Sequence, residues 1–164
     1  MAKIKSPLTL LVRKLALMLH VERELEEHVL PRLMERVADP QLEHAFERHL
    51  VQTRGHVANI EQALALLGEE IEPERNAAFD ALVTAHERLV AQVAAALADV
   101  VHAGGAAHAE HFEIGAYEGM IDLAESLGET EIVHLLEENL DQEREALAQV
   151  KQIARQLAAQ TVSA

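Results

Sequence analysis

The stretch Asp39–Gly68, DPQLEHAFERHLVQTRGHVANIEQALALLG, reads as one long helix with both ends marked. Asp39–Pro40 is a cap followed by proline at the first helical position, and Gly68 supplies the stop. Between them the stripe Phe46, Leu50, Val57, Ile60, Leu64 and Leu67 recurs at helical spacing. His49 and His56 lie on or beside that stripe, with Gln52 about one turn from each. A long helix with imidazoles on its apolar face predicts a helical bundle with polar chemistry in its interior.

The same grammar runs through the rest of the chain. Ser6–Pro7 opens a helix with the stripe Leu11, Leu15, Met18, Leu25, Val29 and Leu33, and Pro31 inside it predicts a kink in the last turns. A short acidic break, Glu69–Glu74, comes after the second helix. The next stretch, about 74–98, is rich in alanine and valine, and Gly104–Gly105 marks a kink or a separation from the helix beyond it. That helix carries Ala109, Phe112, Ala116, Met120, Leu123 and Leu127 and stops at Gly128. The last carries Ile132, Leu136, Leu140, Leu147, Val150, Ile153 and Leu157 after a cap at Thr130, with a tail expected to fray from Ala158.

The reading is therefore all-α, one domain over residues 1–164. Core helices are expected at about 7–37, 40–67, 102–127 and 130–158, with a crossover helix at about 74–98. Short connections at Ala38–Pro40 and Gly128–Thr130 make two antiparallel hairpins. Two hairpins joined by one long crossover is the ferritin-like four-helix-bundle topology.

Composition removes whole classes of function. Asp plus Glu is 28 against 14 Lys plus Arg, a net charge of −14, which opposes binding to nucleic-acid phosphates. Cysteine is absent, so disulfides, thiolate metal sites and cysteine nucleophiles are excluded. Only Ser6, Ser126 and Ser163 are available to a serine hydrolase. No targeting signal or membrane span is legible, and the expectation is a cytoplasmic protein with no membrane partner.

The informative residues are those that interrupt the apolar stripes. Glu22 falls between Met18 and Leu25, Glu113 between Ala109 and Ala116, and Glu143 between Leu140 and Leu147. Buried carboxylates facing one another cost several kcal/mol unless protons, buried bases or a cation neutralise them. Arg23, Arg48, Arg54 and Arg144 lie beside the stripes and are expected to point outward. A metal is the economical counter-charge, and oxygen and imidazole donors suit iron, manganese or zinc.

Spacing supports this. Glu22 to Gln52 and Glu113 to Glu143 are both 30 residues, so the hairpins present equivalent residues at one level. His56 comes four residues after Gln52, on the same helix face. His49 and His56 are two turns apart, about 10 Å by helix rise, and cannot both bind one ion. His49 reads as a half-buried, hydrogen-bonded side chain. Glu110 is either an added ligand or a solvated edge, and Tyr117 either a hydrogen-bond donor to the site or core packing. His20, His28, His44, His86, His102 and His134 read as surface residues.

Asp39–Gly68 resembles the second helix of the YciF-like ferritin-superfamily proteins, a bacterial stress-associated family of unknown function. Ala109–Leu127, AEHFEIGAYEGMIDLAESL, resembles that family's EHYEIAAY helix, and Leu135–Ala154 resembles its last helix. The resemblance covers most of the chain outside the crossover. It implies a ferritin-like bundle with a dinuclear metal site, and a homodimer. Carried over by position, Glu22, His56, Glu113 and Glu143 match the ligands, with Glu110 as an added carboxylate. Aligning on Pro31 places the family's first-helix glutamate at Arg23, one residue from Glu22. The family often has an acidic pair where Val51–Gln52 stand and an acid where Leu147 stands, so the site is di-iron, reduced to a single metal, or one that has lost metal altogether.

The metal set expected from sequence is Glu22, Gln52, His56, Glu110, Glu113 and Glu143. The preferred function is a metal-binding stress protein, with ferrous oxidation or peroxide and oxygen chemistry if iron binds. The alternative is a metal-free interaction or structural bundle. A hemerythrin-like oxygen carrier needs inward histidines on several helices, and only the second helix supplies good ones.

Overall fold

The computed structural model describes residues 3–69 and 73–162. Helix α1 spans Pro7–Glu24 and runs through a wide π turn, Leu25–Val29, into α2, Leu30–Arg36. Helices α3 (Pro40–Leu66), α4 (Ala77–Val90), α5 (Ala98–Leu127) and α6 (Thr130–Val162) complete the chain, with a short 3₁₀ turn at Ala95–Leu97. No strand occurs among the described residues, and no helix is long and apolar enough to cross a membrane.

The caps form as the sequence predicts. The Ser6 hydroxyl accepts from the Thr9 amide at 3.1 Å, and the Asp39 carboxylate accepts from the amides of Gln41 and Leu42. Gly128 closes α5 in the left-handed region (φ 78°), which only glycine adopts without strain.

Around the bundle α1 packs on α3, α3 on α6, α6 on α5, and α5 back on α1. Facing stripes fill the interior: Leu11, Leu15 and Met18 from α1, Phe46 and Ile60 from α3, Met120 from α5, and Ile132, Leu136 and Val150 from α6. Each such side chain contributes about 1.5–3 kcal/mol when removed from water.

Pro31 does not produce a simple kink. The chain widens just before it, and the Leu30 amide donates to the Leu25 carbonyl five residues back. A proline ring clashes with the carbonyl four residues earlier in an α-helix. The π turn moves that carbonyl aside, so the helix continues.

Boundaries differ from the sequence expectation in three places. Helix α4 is shorter than the expected 74–98, because residues 91–97 form turns. Helix α5 begins at Ala98 and passes unbroken through Gly104–Gly105. Helix α6 continues to Val162 where fraying is expected from Ala158, while residues 163–164 lie outside the described residues.

The crossover is fastened to the bundle. Arg13 grips the Glu74 carboxylate at 2.6 Å, the Glu74 amide donates to the Ala16 carbonyl, and Phe79 is buried against Phe112. Farther along, Glu87 pairs with Arg36 at 2.8 Å. At the other end, the Asp99 carboxylate accepts from the amides of Ala38 and Asp39, tying α5 to the α2–α3 turn.

Three histidines depart from the surface assignment: His20 is half-buried with its Nε2 3.1 Å from Asp80, and the other two meet each other. His102 is buried and its Nδ1 lies 3.1 Å from Nε2 of the half-buried His86. That approach requires Gly105, since a Cβ there would sit 2.3 Å from His86 Nδ1. Burial pulls the pKa of both imidazoles down.

Candidate metal centre

Midway along the bundle every core helix contributes a polar side chain to the interior. Glu22 comes from α1, His49 and His56 from α3, Glu110, Glu113 and Tyr117 from α5, and Asn139 and Glu143 from α6. Each is at most 5% exposed. Their apolar neighbours fix the register. Met18 and Leu25 hold the face of Glu22 inward, and Leu140 does the same for Glu143.

Two groups share this interior. In one, His49, Glu110, Glu113 and Glu143 bring ligand atoms within 4.8 Å of one another. In the other, Glu22, His56 and Glu143 do so. Glu143 belongs to both. His49 Nε2 lies 3.5 Å from Glu110 and 3.8 Å from Glu143, while His56 Nδ1 lies 2.9 Å from Glu143 and 3.4 Å from Glu22.

An outer set of side chains aims these groups. Gln142 Oε1 stands 3.2 Å from His56 Nε2, and Gln52 Oε1 stands 3.5 Å from His49 Nδ1. An amide oxygen on the outer nitrogen favours a proton there and turns the inner nitrogen's lone pair toward the cluster. The Tyr117 hydroxyl donates a short hydrogen bond to Glu22. Asn139 donates to Tyr117 at 3.0 Å and accepts from Asn59 at 2.7 Å.

The interior remains under-satisfied. Glu22 Oε2, His49 Nε2, His56 Nδ1, Glu110 Oε2 and both carboxylate oxygens of Glu113 and Glu143 are buried without a hydrogen-bond partner. Leaving such an atom unpaired costs about 1–3 kcal/mol, more when it is charged. These atoms converge on common points, and all are oxygen or imidazole-nitrogen donors. That donor set fits a cation.

Without a cation the charges rearrange. Burial, together with Glu143 and Glu22, pushes the carboxyls of Glu110 and Glu113 well above their ordinary range. Burial and the carboxylates of Glu22 and Glu143 push the Tyr117 phenol up. For His56 burial acts downward, but Glu22 and Glu143 override it and hold the imidazole at about 10. For Glu143 burial acts upward, and His56 and His49 bring the carboxyl down to about 2. In the metal-free interior the shifts thus favour protons on Glu110, Glu113 and His56, which reduces the negative charge of the cluster.

Of the residues expected from sequence, Glu22, His56, Glu110, Glu113 and Glu143 come together. Gln52 stands behind His49, on the nitrogen away from the cluster. Sequence reasoning misses two members of the site. Spacing keeps His49 from sharing an ion with His56, and it does not need to share one, since it belongs to the other group. Asn139 lies on the apolar stripe of α6, and its position one turn before Glu143 is the signal that could have marked it. Three of the arginines beside the stripes pair outside the cluster, with Arg23 on Glu61, Arg54 on Glu26 and Arg144 on Glu118.

Comparison with known proteins agrees with this fold. The model of a family described as a domain of unknown function, DUF892, matches residues 6–163. Protein YciF of Escherichia coli (strain K12) is 28% identical over 117 residues, 70% of each chain. Among solved structures, YcfI from Rhodopseudomonas palustris, described as a putative structural protein, superimposes with a TM-score of 0.87 at 25% identity, covering 91% of this chain and 95% of that one. The E. coli stress protein YciF superimposes with a TM-score of 0.88 at 23% identity, covering 95% and 99%.

Proposed function

Because the chain belongs to the YciF-like family, the domain of unknown function DUF892, we propose that it is a stress-associated metal-binding protein. Its bundle would hold two divalent cations on Glu22, His49, His56, Glu110, Glu113 and Glu143. The observation that carries this reading is the set of buried, unpartnered ligand atoms that falls into two groups sharing Glu143. Four ionised carboxylates carry the charge that two divalent cations balance. A purely structural core would be better served by apolar side chains, which often replace buried ionic groups with no loss of stability.

Iron is the favoured metal, with manganese or zinc compatible with the same donors. Bound iron would supply ferrous oxidation by oxygen or peroxide. The protein's own part is to orient and to exchange protons. Gln52 and Gln142 hold the imidazoles with their inner nitrogens free. Glu110, Glu113 and His56 release protons as the cation enters. Tyr117, held by Asn139, fixes one oxygen of Glu22 and leaves the other for the cation.

The test is elemental analysis of protein purified without a His-tag or chelator, then loaded anaerobically with ferrous iron, for the wild type and for Glu113→Ala with Glu143→Ala. About two equivalents of iron, lost in the double variant, are expected for a dinuclear site. One equivalent would reduce the reading to a single-metal site. No retained metal would refute it and favour a metal-free structural or partner-binding bundle.

A further inference from the structure

A cavity of about 50 Å³ lies beside the centre, between α2, α4 and α5. Its inner end is made by His49, Glu110 and Glu113, three of the four members of one ligand group. Most of its wall is hydrocarbon, including Leu25 and Val29 of the π turn, Leu30, Leu33, Leu82 and Val83. Its outer end is lined by Arg32, His86 and Glu87.

Size and lining together restrict the occupant. An apolar cavity of ~150 Å³ stays dry and takes up benzene or xenon. One of a third that volume excludes an organic substrate and accommodates a molecule of diatomic size. Water and hydrogen peroxide need polar partners on several sides, and the cavity offers these only at its two ends; the hydrocarbon stretch between them suits an apolar occupant. The polar end is the ligand face itself.

We infer that this cavity binds a small apolar gas molecule, dioxygen, and presents it to the His49–Glu110–Glu113 face of the centre. The inference rests on the metal-binding reading for its chemical purpose, and within that reading it selects oxygen over peroxide as the co-reactant. As a binding site it stands on the cavity alone.

The test uses metal-free protein with isotope-labelled methyl groups, observed by NMR under oxygen and under argon. Dioxygen is paramagnetic, and its effect on relaxation falls with the sixth power of distance. The methyls of Leu25 and Leu30, which line the cavity, should relax several-fold faster under oxygen than the equally enclosed methyls of Leu64 and Ile132. Val83 of α4 and Ala106 of α5 also line the cavity, and Val83→Phe and Ala106→Leu, which fill it from two helices, should each abolish the excess. Equal relaxation at both sets of methyls, or an excess that survives both substitutions, would overturn the inference. Because every sample is metal-free, the outcome is separate from that of the iron analysis. Iron uptake without the oxygen effect would leave the metal centre and remove the gas site; the oxygen effect without iron uptake would do the reverse.

Discussion

Replacing Glu113 by methionine should stabilise the metal-free protein while impairing its ability to hold metal. Glu113 is fully buried and neither carboxylate oxygen has a hydrogen-bond partner. Burial and the carboxylates of Glu143, Glu22 and Glu110 raise its pKa well above the ordinary range, so the cost it imposes is nearer that of a poorly satisfied buried polar group than that of a bare charge. Methionine has similar length and no group to satisfy, so the gain is about 1–3 kcal/mol. Unfolding entropy of about 2.1 cal/mol/K per residue gives roughly 0.34 kcal/mol/K for 164 residues. The midpoint should therefore rise by about 3–9 °C. The assay is thermal unfolding by circular dichroism of chelator-stripped wild type and Glu113→Met, with iron uptake measured on the same preparations. A variant that melts at or below the wild type would refute the reasoning, because it would show that the carboxyl is part of a satisfied structural network.

Three further outcomes are expected. Metal-free protein should lose stability as pH rises, which inverts the usual carboxylate pattern. Glu110 and Glu113, raised from 4.5, and His56, raised from 6.5 to about 10, bind more protons folded than unfolded, so their contribution is complete below the ordinary values and disappears through the raised ones. Glu143, lowered to about 2, acts oppositely below about pH 4.5, as do the lowered carboxyls of Asp80 and Glu87, and His86 and His102, lowered from 6.5 by burial, act oppositely up to about that value. Melting curves between about pH 7.5 and pH 9.5, above the range where the lowered imidazoles titrate, that rise or stay flat would contradict this. Tyr117→Phe removes the donor to Glu22 and the acceptor of Asn139, and should destabilise by about 1–3 kcal/mol in denaturant titration while iron uptake persists. Gly105→Ala drives a Cβ into His86 and should cost about 1–3 kcal/mol, a loss that adding His86→Ala relieves; an unchanged midpoint for Gly105→Ala alone would refute the close contact.

Much of this is legible in the sequence because bundles are governed by periodicity. Caps at Ser6 and Asp39 and stops at Gly68 and Gly128 bound the helices, and the length between the hairpins selects the topology. Glu22, Glu113 and Glu143 are visible as interruptions of apolar stripes. His49 is not, because spacing along one helix cannot reveal that a carboxylate from another helix lies between two imidazoles and divides them. His102 is invisible for a related reason. Its burial depends on α4 folding back over α5, and the crossover has no strong periodicity from which to read its docking. Gln52 shares the correct face, but a few degrees of rotation decide whether an amide meets the cluster or the back of an imidazole.

The π turn at Leu25–Val29 accommodates one residue more than a regular helix would between Glu22 and Pro31, the same size as the offset between Glu22 and the glutamate expected by alignment on Pro31. Each residue of an α-helix advances the chain by about 100°, so one extra residue in a regular helix would turn Glu22 out of the bundle relative to Leu30 and Leu33. The wide turn absorbs that residue locally and leaves both flanks facing inward. This stretch therefore acts as a slack link in the helix, where length can change without rewriting the faces on either side. A single-residue deletion within 25–29 restores a regular α-helix and returns the ring of Pro31 to the path of a carbonyl, so the shortened chain would keep its register only if Pro31 were replaced as well. In this chain the wide turn and the proline belong together, since the turn clears the carbonyl that the ring of Pro31 would otherwise meet.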